Sequence, residues 1–254
     1  MNVNEAIEWA ASARKFGRRP GLSRMKALMR LLGDPQDRLK FVHIAGTNGK
    51  GSTAAYVSTV LTRAGYRTGL FTSPYIYCFN ERIRLNGENI PDNALAVSME
   101  RVKTAVAQMC AQGLEHPTEF ELITAAGFDY FACQNCDIVI LEVGLGGRFD
   151  ATNIIRAPLL AVITLIGLDH TAILGDTVDK IAYEKCGIIK PGAVVISYAR
   201  QPQAAREVIR KVCDQQGCLL VECDPASLTV HSCELSGSRF SYRGETYALR
   251  LCGR

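Results

Sequence analysis

The chain has 254 residues, 48% hydrophobic and 21% charged, which excludes a disordered or fibrous chain and supplies apolar material for one sizeable core. Its 29 Lys+Arg against 25 Asp+Glu leave a formal charge of +4, too thin a spread for a dedicated nucleic-acid binder. The longest mainly apolar stretch, residues 157–168, is too short to span a bilayer, and the opening MNVNEAIEWAASARKFGRR lacks the basic start and apolar run of a secretory signal.

Helical patterns come first, over 3–16 and 22–32, joined by the basic turn Gly17-Arg18-Arg19-Pro20-Gly21. The short apolar run FVHIA at 41–45, bounded by a glycine loop, predicts a buried parallel strand. A helix is expected over 52–64 with Gly65 as its stop, then a strand over 67–71 and an Asn-Gly hairpin turn at Asn86-Gly87. Helices over 92–111 and 119–133 precede two central strands, DIVILEV at 137–143 and LLAVITL at 159–165. A helix over 178–186, a strand over 193–197, a helix over 202–216 and a strand over 218–222 continue the alternation. This pattern predicts an α/β fold, a mostly parallel sheet with helices on both faces. From Ser227 onward short alternating runs predict a small antiparallel sheet near the C-terminus.

The ten cysteines are scattered, several inside apolar segments, and without an export signal they read as reduced core thiols of a cytoplasmic protein. Cys133-Gln-Asn-Cys136 has redox or zinc spacing, but no second Cys pair or nearby His completes a site. A structural role at a helix-to-strand junction is expected for it.

The segment Gly46-Thr47-Asn48-Gly49-Lys50-Gly51-Ser52-Thr53 lies between the first clear strand and the next helix. A glycine-rich turn there exposes successive backbone N–H groups, and the helix N-terminus adds a dipole that favours phosphate. Lys50 would neutralise the β- and γ-phosphates of a nucleotide, and a hydroxyl would hold Mg²⁺. The strict P-loop pattern needs Gly where Ile44 stands and Ser or Thr where Gly51 stands. The metal hydroxyl therefore moves to Ser52, with Thr53 as the alternative.

Several blocks, in order along nearly the whole chain, resemble the folylpolyglutamate synthase/dihydrofolate synthase family of Mur-type ATP-dependent amide ligases. They are HIAGTNGKGST (43–53), Ser73-Pro74, FNERI (79–83), Asn86-Gly87, EVGLGGRFDATN (142–153) and DHTAILGDTVDKIAYEKCGIIKPG (169–192). The resemblance implies a Mur-ligase-type ATPase domain that uses ATP and Mg²⁺, with two ions and Mn²⁺ as a possible substitute. Its acceptor would be dihydropteroate or a reduced folate. The carboxylate of that acceptor would be phosphorylated to an acyl phosphate and then attacked by the amine of L-glutamate. No nucleic-acid or membrane partner is implied, and the family inclines to monomers.

Glu142 ends the DIVILEV strand, at the edge where ligands of parallel sheets collect. On residue grounds it is a Mg²⁺ ligand or an ion-paired cap; with the resemblance it joins Ser52, Ser73 and His170 as a metal ligand. A lone His is more often structural, and imidazole is an unusual ligand for Mg²⁺, so His170 rests on the resemblance. Lys185 reads by composition as a surface lysine with an ion partner; the resemblance makes it a carbamylated lysine, formed when a desolvated amine takes up CO₂. Lys50, Lys185 and His170 are thus the expected catalytic residues.

For the pterin-bearing acceptor, the resemblance points to Thr118, Glu119, Phe120 and Glu121 and to Phe149, Asp150 and Ala151. Phe120 offers a flat face to the ring or packs in the core, and Asp150 can accept from ring N–H groups. Arg82 either meets the acceptor's carboxylate or pairs with Glu81. Gly17-Arg18-Arg19 matches a further pterin contact. The family has His where Tyr75 follows Ser73-Pro74. Residues 1–254 are expected to form an ATPase and pterin-binding domain that stops before the family's C-terminal Rossmann-like domain, which carries most of the glutamate site. Two readings follow: a glutamate ligase of folate metabolism, or an ATP- and pterin-binding remnant without activity.

Overall fold

The computed structural model describes residues 1–16, 20–223 and 225–250. Among them an eight-stranded sheet runs in the order β4-β3-β2-β5-β1-β6-β7-β8. Its strands are β1 (Phe41–Ala45), β2 (Thr68–Phe71), β3 (Ile83–Leu85), β4 (Glu88–Asn89), β5 (Ile138–Glu142), β6 (Leu160–Ile163), β7 (Val194–Ser197) and β8 (Leu219–Glu222). All neighbours pair in parallel except the β2–β3–β4 edge, where Asn86 (φ 51°) and Gly87 (φ 88°) turn the chain back.

The chain leaves β1 towards β2 on one side, then crosses back to place β5 and β6 on either flank of β1. That reversal makes a crevice at the carboxyl end of β1, where ligands of such sheets bind. In register, Ile44 pairs with Glu142 and Ala45 with Ile163, so the loop after β1 emerges beside Glu142.

Alternate residues of β1 face opposite layers, although the whole strand is buried. Phe41, Phe71, Val139 and Leu141 pack with helices α1 (Val3–Ser12), α2 (Ser23–Leu31), α4 (Asp92–Ala111) and α5 (Glu119–Cys133). Val42, Ile44, Leu70, Ile140 and Val162 pack on the other face with Ala54, Val57 and Leu61 of α3 (Lys50–Arg63). The short α6 (Thr171–Leu174) precedes α7 (Val178–Lys185), which with α8 (Gln203–Gln216) covers Ala161, Ile163 and Val195.

Local signals set the ends of several elements. Asn2 and Glu5 form a reciprocal cap on α1, and Thr118 and Glu121 one on α5. Gly217, at φ 61°, closes α8. The helix expected from Ser52 begins two residues earlier, because Gly49 takes φ 84° and frees Lys50 and Gly51 to form the first turn. Strands β9 (Leu228–Glu234), β10 (Gly237–Tyr242) and β11 (Glu245–Leu249) form a separate three-stranded antiparallel sheet. Among the described residues no helix is long and apolar enough to cross a membrane.

Candidate functional site

The loop after β1 is held from below by the loop after β6. Thr47 and Asn48 donate their N–H groups to the Leu165 carbonyl at 2.8 and 3.2 Å, and Thr47 Oγ1 exchanges hydrogen bonds with Gly167. Gly46 must be glycine: its φ is 155°, and a Cβ there would lie 1.8 Å from Thr164 Oγ1. Two ammonium groups converge on the Gly46 carbonyl, Lys50 Nζ at 3.1 Å and Lys185 Nζ at 2.8 Å; Lys50 also reaches the Thr47 carbonyl. Asn48, Gly49 and Ser52 are exposed, and Thr53 is half-buried at the start of α3.

Lys185 is not the surface lysine that composition suggests. As the last residue of α7 it is 3% exposed, and no carboxylate pairs with it. Burial and then the neighbouring Lys50 lower its pKa to about 8, against a smaller pull from Asp169 and Asp150. Cysteines respond in the same way: burial pushes the Cys136 thiol up to about 11, as expected of a core thiol.

Glu142 sits at the crevice. Its Oε2 accepts the Ser73 N–H at 3.1 Å, and burial raises its pKa despite that bond and the charge of Lys50. A Cβ on Gly51 would stand 3.7 Å from both carboxylate oxygens, so the absent side chain at 51 keeps open the space above Glu142. His170 begins α6 with φ 48°; its imidazole is half exposed, with Nε2 3.7 Å from Asp169 Oδ1. No group of three or more His, Cys, Asp or Glu side chains that could hold a metal forms among the described residues. That donor set, one buried carboxylate among hydroxyls and backbone, fits a hard cation completed by phosphate and water rather than a protein-caged metal.

Beside this crevice lies a cleft of about 930 Å³. Arg82, Thr118, Glu119, Phe120, Glu121, Phe149, Asp150 and Ala151 all line it, and so does Ser73. Ser73 therefore joins the cleft to Glu142, while the phosphate-loop residues lie outside its lining.

The eight residues differ in how free they are. Glu121 is buried, paired side-on with Arg24 at 3.1 Å and accepting the Thr118 N–H at 2.7 Å, so its carboxylate already has partners. Glu119 is held by Arg14 at 2.8 and 3.0 Å. Phe120 serves both expectations: it packs edge-on against Phe71 at 6.0 Å and lines the cleft, in space left by Gly144, whose Cβ would fall 2.6 Å from the ring. Phe149 is 52% exposed.

Arg82 does not pair with Glu81, whose carboxylate accepts the N–H groups of Ile76, Tyr77 and Cys78. The Arg82 guanidinium lies 5.0 Å from the Tyr75 ring centre and 5.7 Å from that of Phe79, its Nε buried without a partner. Burial lowers its pKa, against the attraction of Glu119. Tyr75, where the family has His, thus stacks on a cleft cation. Gly17-Arg18-Arg19 lie outside the described residues.

Sequence reasoning missed Arg14, Ile173, Leu174 and Glu184 of the cleft lining. No motif marks them; α6 and the segment after α1 reach the cleft only through tertiary packing.

Comparison with known proteins places this geometry. The chain is 44% identical over 243 residues to the dihydrofolate synthase/folylpolyglutamate synthase of Bacillus subtilis (strain 168), covering 95% of this chain and 56% of that relative. The apo form of L. casei FPGS superposes with a TM-score of 0.89 at 36% identity, over 96% of this chain and 60% of the other. An FPGS–AMPPCP–folate complex superposes with a TM-score of 0.87 at 36% identity, over 96% and 60%. The chain thus spans little more than half the length of these relatives. Residues 44–216 match the Mur ligase middle domain, and with the phosphate loop, Glu142 and Lys185 inside that span, the chain belongs to the Mur ligase family.

Proposed function

We propose that residues 1–254 form the ATPase and acceptor-binding part of a ligase that adds L-glutamate to dihydropteroate, to reduced folates or to both. The observation that carries this is the junction at Ser73: one residue lines the acceptor cleft and donates to Glu142 beside the phosphate loop. An acceptor carboxylate at that end of the cleft would lie next to the nucleotide's terminal phosphate, as transfer between them requires. The similarity to named dihydrofolate and folylpolyglutamate synthases supports the same reading.

In this reading the backbone N–H groups of Gly46–Thr53 and the Lys50 ammonium hold the phosphates of ATP. Lys50, now folded onto the Gly46 and Thr47 carbonyls, swings to the phosphates when they arrive. Ser52, Ser73, Glu142 and His170 would hold Mg²⁺, which when bound neutralises charge on the phosphate oxygens. Manganese is the expected substitute, since it accepts imidazole more readily. Lys185, largely neutral near pH 8, has the amine needed to form a carbamate with CO₂. Carbamylation would turn a buried cation beside Lys50 into an anion and reverse the sign of that contact. Arg82 attracts the acceptor's carboxylate, and Phe120 and Phe149 flank its ring. Phosphorylation of that carboxylate to an acyl phosphate makes it reactive to the glutamate amine, and phosphate leaves. A reduced-thiol, cytoplasmic setting and a monomer complete the proposal.

The test is ADP release by the purified chain with Mg²⁺, ATP and dihydropteroate or tetrahydrofolate, with and without glutamate, beside direct titrations of AMPPCP and dihydropteroate. Glutamate-dependent release, lost in Lys50→Ala and Glu142→Ala, supports the ligase. Binding of both ligands without release favours the non-catalytic binding reading. A folded chain that binds neither sinks both.

A further inference from the structure

Behind the cleft a buried imidazole carries a hydrogen-bond chain to one of the lining carboxylates. His43, on β1, is fully buried, and its Nε2 lies 2.8 Å from Thr152 Oγ1. Thr152 Oγ1 is in turn 2.5 Å from Asp150 Oδ1, which also accepts the Thr152 N–H at 3.0 Å. The other oxygen, Asp150 Oδ2, accepts the Leu145 N–H at 2.9 Å. His43 Nδ1 is buried and has no partner. Neither His43 nor Thr152 lines the cleft, and neither touches the phosphate loop's ligand-facing groups; Asp150 does line the cleft.

The direction of the protons follows from counting them. Thr152 has one hydroxyl hydrogen, and an ionised Asp150 requires it. The Thr152 oxygen must then accept, so His43 carries its proton on Nε2 and leaves Nδ1 as a bare acceptor. The reverse order needs a protonated Asp150 and an Nδ1–H donor with no acceptor. Burying an unpaired N–H costs at least as much as burying an unpaired ring nitrogen, and protonation of Asp150 would weaken the three bonds it accepts. A second support fixes the same short helix, Ala151–Ile154: Lys190 Nζ donates to the Asn153 carbonyl at 2.9 Å and to that of Ile155. The ammonium also opposes a second proton on His43, whose pKa burial lowers to about 3.

We propose that His43 and Thr152 are positioning residues for acceptor binding, whose one-way hydrogen-bond chain holds Asp150 in the cleft as an ionised acceptor for ring N–H donors. This deepens the function proposed above and rests on the cleft being the acceptor site. An Asp150 free to rotate or to take up a proton would present a hydroxyl donor to an N–H group and repel it.

The test has two arms on the 254-residue chain. In the first, nitrogen-15 NMR of histidine-labelled protein reads the tautomer of His43, its signals identified by their loss in His43→Phe. The expected result is a proton on Nε2 and none on Nδ1, unchanged across the neutral pH range; an Nδ1–H tautomer or an imidazolium overturns the chain's direction. In the second, titrations of dihydropteroate and of AMPPCP with Mg²⁺ compare wild type, Thr152→Val and Thr152→Ser. Thr152→Val should weaken dihydropteroate about tenfold or more, the size of a lost charge-assisted bond, and leave AMPPCP within about twofold. Thr152→Ser, which restores the hydroxyl, should return most of the loss. Unchanged dihydropteroate affinity in Thr152→Val, or equal loss for both ligands, overturns the positioning role. A wild-type chain that binds AMPPCP but no dihydropteroate fails the functional proposal itself, a result distinct from either.

Discussion

Lys185 Nζ donates to the carbonyl of Gly46 at 2.8 Å, joining the end of α7 to the first glycine of the phosphate loop 139 residues away. The bond places an ammonium in a buried position with only backbone and a second lysine for company, and chemical consequences follow from its lowered pKa of about 8.

Relative to an ordinary lysine, a pKa of about 8 raises the neutral-amine fraction near pH 7 by about two orders of magnitude. Incubation with labelled bicarbonate should therefore modify Lys185 ahead of the exposed lysines, seen as a carbamate carbon signal by NMR and lost in Lys185→Met. Between about pH 8 and 10.5 the unfolded chain binds a proton that the folded one lacks, so this group's contribution to stability rises with pH across that window. Below pH 8 both states are protonated, and the burial penalty is constant. Lys185→Met should remove that slope in urea titrations; an unaltered slope would contradict the burial.

Glu142 has the opposite charge and the same cause. Its raised carboxyl pKa means that the folded state holds a proton more tightly than the unfolded one, so ionisation at neutral pH works against the fold. Glu142→Gln keeps an acceptor for the Ser73 N–H and should raise the unfolding midpoint at pH 7. The gain should shrink as pH falls below the ordinary carboxylate range, while Mg²⁺-dependent AMPPCP binding falls about tenfold or more.

Gly46→Ala should destabilise by about 2–4 kcal/mol, from backbone strain at φ 155° and a Cβ 1.8 Å from Thr164 Oγ1. Adding Thr164→Ala should recover part of this loss by removing the hydroxyl, but not the backbone part. Equal stability of wild type and Gly46→Ala in chemical denaturation would refute the geometry.

Arg24 and Glu121 form a buried pair, both about 7% exposed in their side chains. Glu121→Ala leaves the Arg24 charge with fewer partners and removes the cap on α5, so a loss of about 3 kcal/mol is expected in thermal or denaturant unfolding. Acceptor affinity should fall with the fold and not separately from it.

Arg82 should behave in the reverse manner. Its guanidinium is partly buried against Tyr75 and Phe79 with Nε unpaired, so Arg82→Met should leave the unfolding midpoint unchanged or higher. The same variant should weaken dihydropteroate about tenfold, and Arg82→Lys should recover only part because it loses the planar fork.

The sequence by itself determined the elements and the loop after β1. Apolar runs such as FVHIA and DIVILEV have strand length and are followed by glycine, and Gly46, Gly49 and Lys50 mark a phosphate-type turn without any knowledge of distant contacts. The cleft lining at Thr118–Glu121 and Phe149–Ala151 was legible only through resemblance, since nothing in those residues' spacing points to a ring. Tertiary structure alone decided the rest. Lys185 looks like a surface lysine because helix periodicity records which face is apolar, not which polar atom 139 residues earlier receives a hydrogen bond. Glu121 and Glu119 look equally free in TEFE, yet one is buried on Arg24 and the other bound to Arg14, pairings that local pattern does not encode. His43 sits in an apolar strand, and its partner Thr152 lies 109 residues on, brought near by the reversal of strand order around β1. Local chemistry chooses the elements; only their packing brings separated polar groups within hydrogen-bond reach, and there the site's charges are set.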